Sequence, residues 1–239
     1  MSRIIVVRHG QASFLEPTYD KLCANGEVQS RLLGEYWSWR GVVFDRAYSG
    51  PRLRQVETAR IVGEAYSSAG VVFPEISVMK EFDEYAAEAV LRQCLPQLLQ
   101  MDAGIKELHR AYEDSSDSGE RRKTFQKMFE AVISQWVAGK VAASGVESWH
   151  EFCLRVEHGL ADVVSETASA ASAVVFTSAG PIGAAMRRAL HLSAEDTLQL
   201  TWMSHNASFS EFLASGERFT LSTFNAHPHL EGDGLLTYR

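Results

Sequence analysis

The chain has 239 residues, 46% of them hydrophobic and 22% charged, enough to bury a sizeable core. A formal net charge of −7 and a pI near 5.6 exclude the basic face of a general nucleic-acid binder, although an acidic molecule can still hold a local cationic pocket. The three cysteines, Cys23, Cys94 and Cys153, are too widely spaced for a metal site and odd in number, which argues against a disulfide framework. The first apolar run, Ile4 to Val7, stops at Arg8 and is no secretory segment, and no run approaches the ~18 apolar residues of a membrane span. These features predict a soluble cytoplasmic protein without membrane or nucleic-acid partners.

Ile4 to Val7 is rich in β-branched residues, as in a strand buried on both faces. Glu27 to Trp39 sets Val28, Leu32, Leu33, Tyr36 and Trp37 on one helical face. Val42 to Tyr48 reads as a second strand, closed by the turn Ser49-Gly50-Pro51, and Pro51 suits the first turn of a helix running to Tyr66. Val71 to Met79 reads as a third strand. Helical patterns then take over: Ala87 to Gln100, Ile105 to Tyr112 and Glu120 to Val137, with a polar loop at Glu113 to Glu120. Their apolar stripes are read as core packing. A helix over Trp149 to Glu166 leads into the strand Ala173 to Thr177, and Ser178-Ala179-Gly180-Pro181 opens a helix over Ile182 to Leu190. Thr197 to Trp202 reads as a strand, followed by a hairpin of Ser208 to Ala214 and Phe219 to Phe224. The whole predicts an α/β fold: a doubly wound, mainly parallel sheet with an antiparallel edge, helices on both faces, and a helical insertion over about residues 85–145 of a single domain spanning 1–239.

Ligands of an open parallel sheet bind outside the carboxyl ends of its strands. Three predicted strands meet there with chemistry: one ends in Arg8-His9-Gly10, one just before Arg52-Leu53-Arg54, one in Ser178-Ala179-Gly180. Guanidinium matches phosphate oxygens in fixed geometry, at roughly 1.5–3 kcal/mol per charge-assisted bond. Backbone N–H groups from Ser178 to Gly183 at a helix start also favour an anion. The expected guest is a phosphoryl group on a small molecule.

Arg8-His9-Gly10 near the start of the chain resembles the signature of the histidine phosphatase superfamily, the phosphoglycerate mutase-like enzymes. Further matches are Arg54 four residues before Thr58-Ala59, the segment Asp20-Lys21-Leu22 with Gly26 and Gln29, Met79-Lys80-Glu81, and Val174 to Gly180. The resemblance covers nearly the whole chain, least of all the helical insertion. It implies that His9 attacks phosphorus as a neutral imidazole to give phosphohistidine, with Arg8 and Arg54 binding the phosphoryl group and Arg52 close enough to share that task. Glu81 is then the proton donor to the leaving oxygen, with Asp83 or Glu84 replacing it if the register slips. No cofactor and no metal ion is implied; the His227-Pro228-His229 pair has no third ligand nearby.

In one respect the chain departs from the family. Ser178 stands where the family has a second catalytic histidine, and loss of such a donor typically costs about 2.7–4 kcal/mol. His205 is a candidate replacement, although the packing role is the stronger reading. A phosphomonoester phosphatase is therefore expected ahead of two alternatives, a mutase-type phosphotransferase and a catalytically weak phospholigand-binding protein. Leu15, where mutases carry asparagine, and the acidic segment Phe82-Asp83-Glu84-Tyr85 both favour the phosphatase. The physiological substrate and the oligomeric state are not written in the sequence.

Overall fold

The computed structural model describes residues 1–13, 20–232 and 234–238, so Leu15 lies outside the described residues. In chain order the elements are β1 (Ser2–Arg8), α1 (Ala24–Trp39), β2 (Arg46–Ser49), α2 (Leu53–Ser68), β3 (Ile76–Val78) and a 3-10 turn at Lys80–Phe82. Next come α3 (Ala87–Met101), α4 (Ala103–Asp114), α5 (Ser118–Val137) and α6 (Trp149–Glu166). The chain continues with β4 (Ser172–Thr177), α7 (Ala179–Leu190), α8 (Ala194–Met203), β5 (Phe209–Ser215) and β6 (Arg218–Ala226). The fold is the expected α/β class, with helices on both faces of a six-stranded sheet ordered β3-β2-β4-β1-β5-β6. β1 to β4 are parallel neighbours, whereas β5 and β6 add an antiparallel edge.

The chain divides into two compact units, residues 1–84 with 155–239, and residues 85–154. In the first, strand alternation sends Ile5, Val7, Val174 and Phe176 to one face, where they pack with Leu33 and Trp37 of α1 and Val62 and Tyr66 of α2. Ile4, Val6 and Val175, equally buried, alternate to the other face. The central strands β1 and β4 are thus apolar on both sides, as their sequence runs require. The second unit holds α3, α4, α5 and the start of α6. Asp102 and Asp117 cap α4 and α5 by accepting backbone N–H bonds, and Tyr85, Trp136, Trp149 and Phe152 form an aromatic cluster with centroids 5.3–6.1 Å apart.

Two expectations are corrected. Thr197 to Trp202 is helical, inside α8, not a strand. Ser193 caps this helix through its hydroxyl oxygen, which accepts from Asp196 N–H at 3.1 Å, and Glu195 and Asp196 lie in the first turn. A short run mixing Thr and Leu fits either period, and the cap decides it. The expected third strand shrinks to Ile76–Val78, because Pro74 has no N–H to give a ladder, while Val71 and Phe73 pack on the core instead. Among the described residues no helix is long and apolar enough to cross a membrane.

Leu33→Ala in the main cluster is expected to cost about 2–5 kcal/mol of stability, and an unshifted urea midpoint would refute this packing. His229 lies between the rings of Tyr36 and Phe209, and its pKa is pushed down to about 4, chiefly by burial, with His227 adding to the fall and the Ala207 peptide opposing it. The neutral ring therefore contributes fully above the ordinary value of 6.5 and loses that contribution as the pH falls to about 4. Thermal unfolding should show stability declining over that window, and His229→Phe should flatten the decline.

Candidate active site

β1 delivers His9 to the carboxyl end of the sheet, where its backbone N–H donates to Thr177 O of β4 at 2.8 Å. Gly10 follows because α1 begins against it: a Cβ here would lie 2.3 Å from the Gly26 carbonyl oxygen. The Gly10 N–H donates to Thr58 Oγ1 at 3.0 Å, which ties the turn to α2. The His9 carbonyl accepts from Asn206 Nδ2 at 3.3 Å and from Ala207 N–H at 3.1 Å. Gln11 N–H donates to Gln29 Oε1 at 2.8 Å. The loop carrying His9 is therefore held by α1, α2 and the segment that precedes β5.

The His9 ring is buried, and its two nitrogens have distinct roles. Arg54 Nε donates to His9 Nε2 at 3.0 Å. A guanidinium offers only donors, so Nε2 must present its lone pair, and the proton resides on Nδ1, which donates to Gly10 O at 2.7 Å. Burial is the largest cause holding the His9 pKa well below its usual range. Arg54 and Arg8 push it the same way, against a smaller opposing contribution from the Gly10 carbonyl. His9 is thus a neutral imidazole with its lone pair beside a cation.

Arg54 lies in the first turn of α2 and is 5% exposed. Its Nη1 meets Asp20 Oδ1 at 2.6 Å, and the other oxygen of Asp20 accepts from Leu53 N–H at 2.9 Å. Arg52 donates through Nε to Asp83 and through Nη2 to Glu84 O at 3.5 Å. Burial opposes the charge of Arg52, but Asp83, Asp20 and Glu84 more than offset it and raise its pKa further. Arg8 donates through Nη1 to Ser204 O, and its charge acts on His9 as well.

Ser178 stands at the N-cap position of α7 without a side-chain capping bond, and its hydroxyl oxygen accepts from Gln55 Nε2 at 2.8 Å. Glu84 reaches the same helix end, where Gly180 N–H donates to its carboxylate at 3.0 Å. Glu81 follows a different course. Its stem packs on α6, such that a Cβ added at Gly159 would lie 2.5 Å from Glu81 Cβ. Its carbonyl accepts from Arg155 Nη1 at 2.8 Å. The geometry therefore joins His9 and Arg54 directly, ties Ser178 through Gln55 to the start of α2, and brings the Glu84 carboxylate to the start of α7.

His205 follows α8, not a strand. Asn225 Nδ2 donates to its Nδ1 at 2.9 Å, so its proton sits on Nε2. The ring packs on Tyr238 and His227, with centroids 4.2 and 4.7 Å away. Its pKa is lowered by burial first, then by His227 and Arg8, with Asn225 opposing. This is the environment of a neutral packing histidine. Sequence reasoning misses Gln55 and Asn206, and gives Asp20 no task beyond its match. The signal for Gln55 is its position three residues after Arg52, from which its Oε1 accepts the Arg52 N–H at 3.0 Å, the reach-back of a capping box.

An α/β sheet offering a neutral imidazole, a buried guanidinium and a helix start at its strand ends defines a protein built to handle an oxyanion. The sequence matches the family model for the histidine phosphatase superfamily (branch 1) over residues 4–140 and 85–227, and the chain belongs to that superfamily, which classes it with the phosphoric monoester hydrolases. Comparison with curated proteins returns no match. Among solved structures, the chain is similar to a phosphoserine phosphatase mutant from Entamoeba histolytica in complex with phosphoserine (TM-score 0.62, 16% identity, covering 96% of this chain and 100% of that one). It is also similar to a mycobacterial glucosyl-3-phosphoglycerate phosphatase (0.60, 19%, 94% and 98%) and to a phosphoglycerate mutase from Bacillus anthracis (0.60, 15%, 95% and 94%). At these identities the likeness is one of fold.

Since Arg54 helps to hold the His9 pKa down, Arg54→Met should raise it. An NMR titration of the His9 ring in which the substitution leaves the midpoint unmoved or lowers it would contradict the assignment.

Proposed function

We propose that this chain is a metal-independent phosphomonoester phosphatase acting on small phosphorylated metabolites through a phosphohistidine intermediate at His9. The observation that carries this reading is the fixed tautomer of His9, neutral and with the Nε2 lone pair beside Arg54. In the first step Nε2 bonds to phosphorus, the ester P–O bond breaks, and a carboxylic acid gives its proton to the leaving oxygen. In the second, water attacks phosphorus, the same carboxylate takes the water's proton, and the P–N bond breaks. Arg54 and Arg8 balance the charge spreading over the phosphoryl oxygens, so guanidinium groups rather than a metal ion carry that load. The N–H groups at the start of α7 add to this, and Ser178 supplies the single hydroxyl there.

Two carboxylates compete for the role of acid. The family resemblance favours Glu81; the contact with Gly180 N–H favours Glu84, and we assign the role to Glu84. Phosphatases among the similar structures, one of them bound to phosphoserine, support a small phosphoester as substrate, and the wide spacing of the cysteines fits a cytoplasmic setting. Arg52 is engaged by Asp83 and Glu84, which leaves it poorly suited to hold the second phosphate that a mutase needs.

Incubation with an aryl phosphate tests the reading. His9→Ala is expected to abolish phosphate release while keeping the unfolding midpoint, and acid-labile phosphate should be trapped on the wild-type chain alone. Glu84→Gln should lower kcat about 10²-fold or more, and Glu81→Gln by much less; the opposite order would return the role of acid to Glu81.

A further inference from the structure

Asp20 occupies two donors at the start of α2. One of its oxygens accepts from Arg54 Nη1 at 2.6 Å, the other from Leu53 N–H at 2.9 Å. Those donors are a buried guanidinium and the first N–H of a 16-residue helix, a pairing suited to an incoming anion. The same guanidinium directs its Nε–H at His9 Nε2, so a hydrogen covers the lone pair that attacks phosphorus. Exposure is uneven across the pair, 42% for the Asp20 side chain against 7% for Arg54. The carboxylate therefore approaches from the solvent side and can leave while the guanidinium stays packed.

We propose that Asp20 is an internal anion that holds the site at rest and is displaced by the phosphoryl group of the substrate. The ligand's identity rests on the phosphatase reading above. Displacement exchanges a monoanionic carboxylate for a phosphoryl dianion at the same donors and draws the Arg54 Nε–H off His9, freeing its lone pair toward phosphorus. No covalent bond changes in this exchange. Only the fraction of molecules with Asp20 withdrawn is competent to bind, so the apparent affinity for every phosphate-like anion is lowered by one common factor. A residue that merely steered Arg54 into position would have the reverse effect, and its loss would weaken binding.

Asp20→Asn separates the two roles, since it removes the charge and keeps an oxygen for Leu53 N–H. In calorimetric titrations the variant is expected to bind inorganic phosphate and vanadate about threefold or more tighter, by the same factor for both, and KM for an aryl phosphate should fall in parallel. Unchanged or weaker binding overturns the proposal, as does tightening toward one anion alone. Asp20→Ser, which also retains an oxygen at the helix start, takes the same measurement if the asparagine variant does not fold. Phosphate binding without ester hydrolysis by the wild type would remove the phosphatase reading, yet the affinity comparison would still decide the role of Asp20. Failure of both proteins to bind phosphate overturns the proposal.

Discussion

The hydrogen bond from Arg54 Nε to His9 Nε2 is the contact on which the remainder of the site depends. Because a guanidinium can only donate, the bond forces the imidazole to accept, and this fixes both its tautomer and its charge. Burial and a second arginine reinforce the same state. The imidazole is thereby kept neutral by its surroundings, which is the state the proposed attack on phosphorus requires. The two partners are 45 residues apart in the chain. Only the parallel packing of β1 beside β4 and of β4 beside β2, with α2 folded back over them, brings their side chains together.

A guanidinium buried to this degree needs compensation, and the chain supplies it with its own carboxylates. Asp20 meets Arg54, Asp83 meets Arg52, and Glu84 accepts from Gly180 N–H at the start of α7. An acidic molecule thus places Arg52 and Arg54 at its strand ends, each paired with a carboxylate. On the reading proposed for Asp20, an incoming dianion would compete with groups already in place, and binding would be an exchange of anions.

Positioning is as important as charge here. The peptide around His9 is held by Asn206, Ala207, Thr58 and Gln29, and two of these are secured again from residues 235 to 237. Thr237 O accepts from Asn206 N–H at 2.8 Å, and Gln29 Nε2 donates to Leu235 O at 2.6 Å. The in-line displacement proposed for His9 would tolerate little drift of the attacking atom, and a loop tied at several points suits that demand where a free turn would not.

Much of this was legible in the chain. The buried runs of β1 and β4, Gly10 behind His9, and the turn before α2 are local patterns whose burial or turn chemistry admits one reading, so the sheet and the placing of His9 and Arg54 at its strand ends followed from them. The strand drawn at Thr197 failed because a short mixed run carries no period of its own, and the cap at Ser193 outweighed it. Choosing between Glu81 and Glu84 lay beyond pattern as well. Both follow the same short strand, and the direction of each side chain is set by a 3-10 turn that packs one against Gly159 of α6 and leaves the other facing α7. Sequence alone determined which chemical groups stand at the strand ends, since strand, turn and helix starts are encoded within a few residues. Tertiary structure alone decided which of those groups touch, because contacts such as Asp20 with Arg54 and Gln55 with Ser178 depend on how distant segments pack.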